Sequence, residues 1–179
     1  MKQMLESTEY AAYYSKYIDL VPEGDIMTIL MEQMDETSEF LKDLTEQQAH
    51  FSYREGKWSI KEVIGHIGDT ERIMGYRLLS FARGEKAELP GYDDNKYVKN
   101  ASFNSQSLRD LLENLKIIRK STLQLIKSFP SDAFLRRGNA NGSEVSVRAL
   151  IYIIAGHELH HRKLISDRYL SSETYPKTL

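Results

Sequence analysis

The chain has 179 residues, a formal net charge of −2 and 41% hydrophobic residues, which is the composition of an ordinary globular domain. Lysine and arginine alternate with acidic residues, so no basic stripe indicates a nucleic-acid partner. The absence of cysteine excludes disulfides, a thiolate nucleophile and cysteine-ligated metals, so a metal ion would be held by His, Asp or Glu.

The distribution of apolar residues along the chain predicts neither a signal peptide nor a transmembrane helix. The N-terminus lacks the apolar core of a signal peptide. The most apolar run, Ala149 to Ala155, is too short to span a bilayer. We therefore expect a cytoplasmic protein without a membrane partner.

Apolar residues recur at helical spacing after a short tyrosine-rich segment at residues 10–20, which itself predicts a short helix. The first long helix is predicted at about residues 25–44. The second begins at Ser59, whose side chain forms a capping box with Glu62, and continues to about Arg83.

The second half of the chain predicts two more long helices separated by turns. Residues 86–104 form an irregular stretch of a length that is often functional. A third helix is predicted at about residues 107–129, and a turn-rich, hairpin-like loop at residues 136–142. Ser146 then caps a fourth helix that extends to about Tyr169.

These elements predict an all-α protein, a four-helix bundle with a short extra N-terminal helix. We assign residues 1–24 to an N-terminal segment with the short helix and residues 25–175 to the bundle domain. In helix bundles, metal and ligand sites are built from side chains on facing helices.

Three of the five histidines lie in the pentapeptide His157-Glu158-Leu159-His160-His161. It matches H-E-x-x-H, the pattern with which metalloproteases provide two zinc ligands and a catalytic glutamate. Residues four apart share one helix face, so His157 and His161 point the same way. A protease of this type also needs a third metal ligand downstream, and the 18 residues after His161 offer few acids for that role. It also needs a scaffold of strands, which the helical periodicity does not predict. The pattern therefore favours a different metal site.

His66 is the best candidate for a third ligand. It lies in the predicted second helix among apolar and small residues, where a buried imidazole needs a hydrogen-bond partner or a metal. With His157 and His161 it would provide three nitrogens and leave a position for substrate, as in catalytic sites. The alternative is that all three histidines are hydrogen-bonded core residues without a metal.

Glycines in helix interiors cost about 1 kcal/mol each relative to alanine, so their presence beside the histidines predicts close packing or a need for access. Three glycines adjoin the histidines, at positions 65, 68 and 156.

The remaining polar residues near these histidines have plainer interpretations. His160 is turned about 100° from His161, so we expect it behind the ligands or at the surface. His50 lies in a polar loop and is predicted to be solvated. Glu158 is interpreted as a surface or helix-pairing charge, and Glu62 as a capping residue.

Two assignments stay open on sequence alone. Asp69 either accepts the free ring N–H of His66 or pairs with Arg72. The polar and aromatic residues of the long loop either line a pocket mouth or simply cover the end of the bundle; these are Tyr92, Asp93 and Tyr97.

The run from Gly56 to Arg72 resembles the second-helix signature of the DinB/YfiT-like superfamily, and the run from Gly156 to His161 resembles its last-helix signature. The resemblance extends over residues 89–92 and 145–150, and it covers most of the chain from Asp25 onward. Jointly the two motifs are fairly specific, whereas neither is so alone.

The resemblance implies an up-down-down-up four-helix bundle, often a homodimer, that carries a divalent metal on a histidine triad. That triad falls here on His66, His157 and His161. Zinc or nickel is the expected ion, although nitrogen ligands suit copper and iron about equally well. Members of the superfamily include thiol-dependent S-transferases that use bacillithiol, mycothiol or glutathione, and a thiol-dependent isomerase.

Three functions follow as hypotheses. The first is a thiol-dependent S-transferase, in which the metal lowers the pKa of a low-molecular-weight thiol co-substrate that then attacks a small electrophile. The second is a metal-dependent hydrolase, in which the same metal activates water. The third is a non-enzymatic, metal-binding dimeric bundle.

Overall fold

The structure, a computed structural model, describes residues 5–177. Within that range the chain forms long and short helices and one small hairpin. The helices are α1 (Ser15–Ile18), α2 (Ile26–Leu41), α3 (Glu46–Ala49), α4 (Ile60–Ala82), α5 (Asp94–Ala101), α6 (Leu108–Lys127) and α7 (Val147–Leu164). The strands are β1 (Arg137–Ala140) and β2 (Ser143–Ser146), which pair antiparallel.

Helices α2, α4, α6 and α7 form the predicted four-helix bundle in up-down-down-up order, which confirms the fold. Helix α4 packs against α6 and α7, and α2 packs against the same two helices. Helix α1 packs against α7 on the outside of the bundle. None of the helices in residues 5–177 is both long and apolar enough to cross a bilayer.

Each long helix begins at a residue whose side chain accepts a hydrogen bond from the first turn, because the first backbone N–H groups have no partner inside the helix. The capping box predicted for α4 is confirmed: Ser59 Oγ accepts from the Glu62 amide at 3.1 Å, and Glu62 accepts from the Ser59 amide at 2.7 Å. Ser146 caps α7 by accepting from the Ala149 amide at 3.0 Å, also as predicted.

Two apolar clusters fill the bundle, and a layer of buried polar side chains separates them. One cluster lies around Leu78 and Leu150, and the other around Ile64 and Leu111. We call the side chains between them the polar layer: Gln33, Thr37, His66, Thr70, Glu71, Arg119, Thr122, His157, Glu158 and His161. The predicted histidine site therefore lies in the middle of the bundle and not at its end.

The stretch at residues 86–104 is more ordered than predicted, since it contains α5 and a short 3₁₀ turn at Phe103–Ser105. Asp93 caps α5 by accepting from the Lys96 amide at 3.0 Å. Only Val98 of this helix is buried, so the sequence carries no apolar periodicity that would reveal it.

The turn-rich loop forms a true hairpin, with Asn141 and Gly142 between the paired residues Ala140 and Ser143. Both turn residues have positive φ, 53° and 72°, as a two-residue hairpin turn of type I′ requires. The fourth helix ends at Leu164, earlier than predicted, and continues as a π-helical turn over Ile165–Leu170.

The short N-terminal helix is present as α1, inside the predicted segment 1–24. Residues 1–4 of that segment lie outside the described residues. The division of the chain at residue 24 stays a prediction.

Candidate metal centre

Three buried imidazoles meet in the polar layer. His66 comes from α4, and His157 and His161 come from successive turns of α7; one ring nitrogen of each lies within 4.8 Å of those of the other two. Nε2 of His157 lies 3.1 Å from Nε2 of His66 and 3.2 Å from Nε2 of His161. The structure thus brings together the three histidines that the sequence singled out.

Burial controls the protonation of this cluster. It lowers the pKa of all three rings, since a charged imidazolium is poorly solvated there. For His157 and His161 the neighbouring rings lower the pKa further, to well below the ordinary value. At neutral pH the rings are therefore neutral, which is the form that binds a metal ion.

The donor set fits a divalent metal ion. In a neutral imidazole, Nε2 carries either a proton or a lone pair, never both. Nε2 of His157 faces two other Nε2 atoms, so hydrogen bonds among the rings satisfy the cluster only in part. A cation that accepts all three lone pairs satisfies it more fully, and nitrogen ligands suit zinc and nickel.

Aromatic rings surround the cluster and fix its orientation. Trp58 lies against His66 at a centroid distance of 4.7 Å, and Tyr17 lies edge-on against His157 at 5.4 Å. Nδ1 of His161 is buried without a hydrogen-bond partner among the described residues. Packing against its neighbours therefore holds the His161 ring in place.

The two remaining histidines lie outside the triad. His160 is half-buried behind the ligands, with its ring 5.2 Å from those of Tyr17 and of His161. His50 is exposed, as predicted, and its ring nitrogens face the backbone oxygens of Glu46 and Asn104.

The interpretation of Glu158 as a surface charge was wrong, and its interpretation as a helix-pairing charge is correct. The side chain is only 2% exposed. It accepts from Arg119 Nη2 at 2.6 Å and from Thr37 Oγ1 at 2.5 Å. Arg119 also donates twice to Glu71, at 2.8 and 2.9 Å, so one guanidinium joins carboxylates from α4 and α7.

A sequence signal for this network exists. Arg119 follows Leu115 by four residues and precedes Thr122 by three, which places a charge on the core-facing stripe of α6. Glu71 occupies the same kind of position on α4, between Ile67 and Met74.

The acids beside His66 have local roles. Glu62 is used by the capping box. Asp69 pairs with Arg72 at 3.3 Å, and burial raises the pKa of its carboxyl. No hydrogen bond within residues 5–177 joins either acid to the His66 ring.

A cavity of about 190 Å³ opens beside the triad, with His157 in its wall. The residues that line it come from α1 and the turn before it, from α4, α5 and α7, and from two loops: Tyr13, Tyr14, Tyr17, Thr70, Met74, Arg77, Gly91, Tyr92, Asp94, Asn141, Ile153 and His157. A larger surface depression of about 650 Å³ lies between α2 and α7, and none of the three histidines lines it.

Of the loop residues considered as pocket lining, one reaches this cavity. The Tyr92 hydroxyl lies 2.7 Å from Thr70 Oγ1. Tyr97 packs edge-on behind Tyr92 at 5.1 Å, and Asp93 caps α5. The tyrosines of α1 and its preceding turn, together with Arg77, were missed, because no local pattern connects them to the histidines.

Residues 30–165 match the DinB superfamily. The chain belongs to this superfamily. The matched range contains the complete triad of His66, His157 and His161, and it excludes the three tyrosines that precede α2 in the cavity wall.

Two curated relatives of this DinB-superfamily chain come from Oceanobacillus iheyensis, and both are named putative metal-dependent hydrolase. One is 26% identical over 69% of this chain and 71% of its own length. The other is 25% identical over 66% of this chain and 69% of its own length.

Among solved structures, YfiT from Bacillus subtilis resembles the protein with a TM-score of 0.72 at 15% identity. The similarity covers 93% of this chain and 89% of that chain. YfiT is described as a probable metal-dependent hydrolase with an unusual four-helix bundle topology. At this identity the comparison establishes the shared DinB-type fold.

Proposed function

We propose that His66, His157 and His161 bind one divalent metal ion, zinc or nickel, and that the protein is a metal-dependent hydrolase of a small molecule. The observation that carries the proposal is the meeting of three neutral Nε2 atoms at the wall of a cavity. The names of the two Oceanobacillus relatives support the choice of a hydrolase.

When bound, such an ion supplies Lewis-acid activation of a nucleophile or of a carbonyl or phosphoryl group. The chain's own residues supply its position. The rings of all three histidines are buried, and His157 also lines the cavity. Tyr17 and Trp58 keep water from the outer sides of the rings.

The glutamate of the H-E-x-x-H pattern has no part in this chemistry. Its two oxygens accept hydrogen bonds from Thr37 and Arg119 on the side away from the cavity. The site therefore shares only a sequence pattern with metalloproteases. The proton acceptor for hydrolysis has to be another group, one that lines the cavity.

The second candidate is a thiol-dependent S-transferase, the activity implied by the resemblance of the two histidine motifs. Since the chain has no cysteine, the thiol would come from a small molecule bound in the same cavity. The homodimer implied by the same resemblance also stays a proposal.

The first experiment measures metal content after purification without chelator. We expect about one equivalent of divalent metal per chain in the wild type and little in His66→Ala, because two ligands from one helix hold an ion poorly. The matched control His50→Ala, which changes an exposed histidine, should keep its metal. Wild-type protein that contains no metal, and whose melting temperature does not rise with zinc or nickel, would rule out both enzyme functions.

The second experiment separates the two enzymes. The metal-loaded protein is assayed for cleavage of p-nitrophenyl esters without thiol, and for conjugation of monochlorobimane with glutathione or bacillithiol. Ester cleavage that disappears in His66→Ala supports the hydrolase. Turnover that depends on added thiol would favour the transferase over the hydrolase. Inactivity in both assays would favour a non-enzymatic metal-binding bundle.

A further inference from the structure

Arg77 is a buried cation without a counter-ion. Its side chain is 3% exposed on the inner side of α4. The other buried Lys, Arg, Asp and Glu side chains in residues 5–177 all have a partner of opposite charge: Lys61 with Glu46, Arg119 with Glu71 and Glu158, and Glu9 with Arg148. Arg77 has no carboxylate within ion-pair distance in the described part of the chain.

The hydrogen bonds of Arg77 do not replace a counter-ion. Nη2 donates to the Pro90 carbonyl at 3.0 Å, and Nη1 lies 3.6 Å from the sulfur of Met74. A guanidinium has five N–H donors, and burial of a charge without a partner is costly. Neutral acceptors thus fix the direction of this side chain and leave its charge uncompensated.

The uncompensated charge lies in the wall of the cavity that His157 also lines. The phenols of Tyr14 and Tyr92 lie in the same wall. Burial raises the pKa of both; the charge of Arg77 lowers it, and the charge of Asp94 raises it further. One cavity therefore presents a cation, aromatic surface and the edge of the histidine triad.

One acid also lines this cavity. Asp94, the first residue of α5, is exposed and makes no ion pair with Arg77. Lys16 does not line the cavity; its Nζ lies 3.9 Å from the centroid of the Tyr13 ring and 4.8 Å from that of the Tyr17 ring. Arg77 is thus the buried charge of the cavity, and Asp94 is an exposed charge at its edge.

We propose that Arg77 binds the anionic group of a small substrate, a carboxylate or a phosphate, while the tyrosines contact its body and its reactive bond faces the triad. This rests on the proposed function for the role of the triad, but the anion site itself needs no metal. A guanidinium binds both groups through paired hydrogen bonds. The cavity of about 190 Å³ is smaller than the ~300–1,000 Å³ of sites for drug-sized ligands, so the substrate is small.

Calorimetric titration of zinc-loaded wild-type protein provides the first test. The probes are benzoate and phenyl phosphate, which distinguish a carboxylate from a phosphate, and neutral benzamide of nearly the same shape. We expect one or both anions to bind at one site per chain and benzamide to bind at least about tenfold more weakly. Equal binding of benzamide and the anions, or no binding of either anion, overturns the proposal.

The second test separates Arg77 from the metal as the anion's partner. Arg77→Met should weaken binding of the favoured anion by about tenfold or more, with the zinc content unchanged. The matched control Arg83→Met removes an exposed arginine just after α4 and should bind like the wild type. Unchanged affinity in Arg77→Met means that the anion binds elsewhere and overturns the proposal.

If Arg77→Met does not fold, anion binding to wild-type protein from which the metal has been removed tests the same point. Anion binding that persists after chelation supports the arginine site, and its complete loss overturns it. Zinc content is measured on the same samples. A protein that binds zinc but no anion contradicts the anion site alone, and a protein that binds the anion but no zinc contradicts the metal site alone.

Discussion

At the scale of single residues, the geometry of α7 gives two adjacent side chains different roles. Successive helical residues point about 100° apart, so His157 faces the cavity while Glu158 faces α2 and α6. The polar layer thus contains a histidine cluster on one side and a carboxylate–guanidinium network on the other. Glu158 belongs to the second.

This assignment predicts that Glu158→Gln is a stability variant. Replacing a carboxylate that accepts from Arg119 and Thr37 by an amide weakens charged, buried hydrogen bonds, so we expect a loss of about 1–3 kcal/mol in the free energy of unfolding, measured by urea denaturation. Metal content should not change. Glu36→Gln, which removes an exposed ion pair with Arg162, serves as the control and should cost at most about 1 kcal/mol.

A different outcome would restore the catalytic role of Glu158. If Glu158→Gln keeps its stability and its metal but loses ester cleavage, the glutamate acts as a proton acceptor and the network described above is incidental.

At the scale of helices, the glycines of α4 show how closely the elements approach. A Cβ on Gly65 would lie 2.4 Å from the Phe103 ring, and one on Gly68 would lie 3.1 Å from Cδ1 of Ile118. Gly75, about two turns beyond Gly68 on the same helix, has open space around it. The crowding predicted beside His66 is therefore real, and it weakens toward the end of α4.

A pair of alanine substitutions tests this difference within one helix. Gly65→Ala should destabilise the protein by about 1–3 kcal/mol, because the Phe103 ring has to move. Gly75→Ala should stabilise it by up to about 1 kcal/mol through helix propensity. Both are read from chemical denaturation, and equal effects at the two positions would contradict the packing described here.

The same scale shows what the sequence predicts well and what it does not. Long helices with a cap and an apolar stripe, such as α4, follow from local patterns, and so does the pairing of His157 with His161. Helix α5 does not, because one buried residue, Val98, leaves no periodicity. The lack of a counter-ion at Arg77 does not follow from local patterns either. It depends on which acidic residues the whole fold brings near the guanidinium.

At the scale of the whole molecule, the segment before α2 is attached to the bundle by Glu9. Its carboxylate accepts from Ser146 Oγ at 2.7 Å and from Arg148 Nε at 2.6 Å. Burial raises the pKa of Glu9, but the hydrogen bonds from Arg148, the Glu6 amide and Ser146 outweigh this and lower the pKa to about 2. The attachment therefore needs the ionised carboxylate.

The lowered pKa predicts how stability depends on pH. The contribution of Glu9 is fully present above its ordinary pKa of about 4.5 and is lost as pH falls toward 2. Glu9→Gln should be less stable than the wild type by about 1–3 kcal/mol at pH 6, and this gap should close between pH 4.5 and 2. Urea denaturation at several pH values measures it, with the exposed Glu32→Gln as control. A gap that is constant with pH would contradict the assignment.

Gly156 sets how closely the segment before α2 approaches the bundle. A Cβ there would lie 2.1 Å from the carbonyl oxygen of Tyr17, so the glycine lets the backbone of α1 rest directly on α7. Tyr17 thereby reaches the ring of His157, the next residue along α7. The absence of one methyl group thus determines the distance between the N-terminal tyrosines and the histidine cluster.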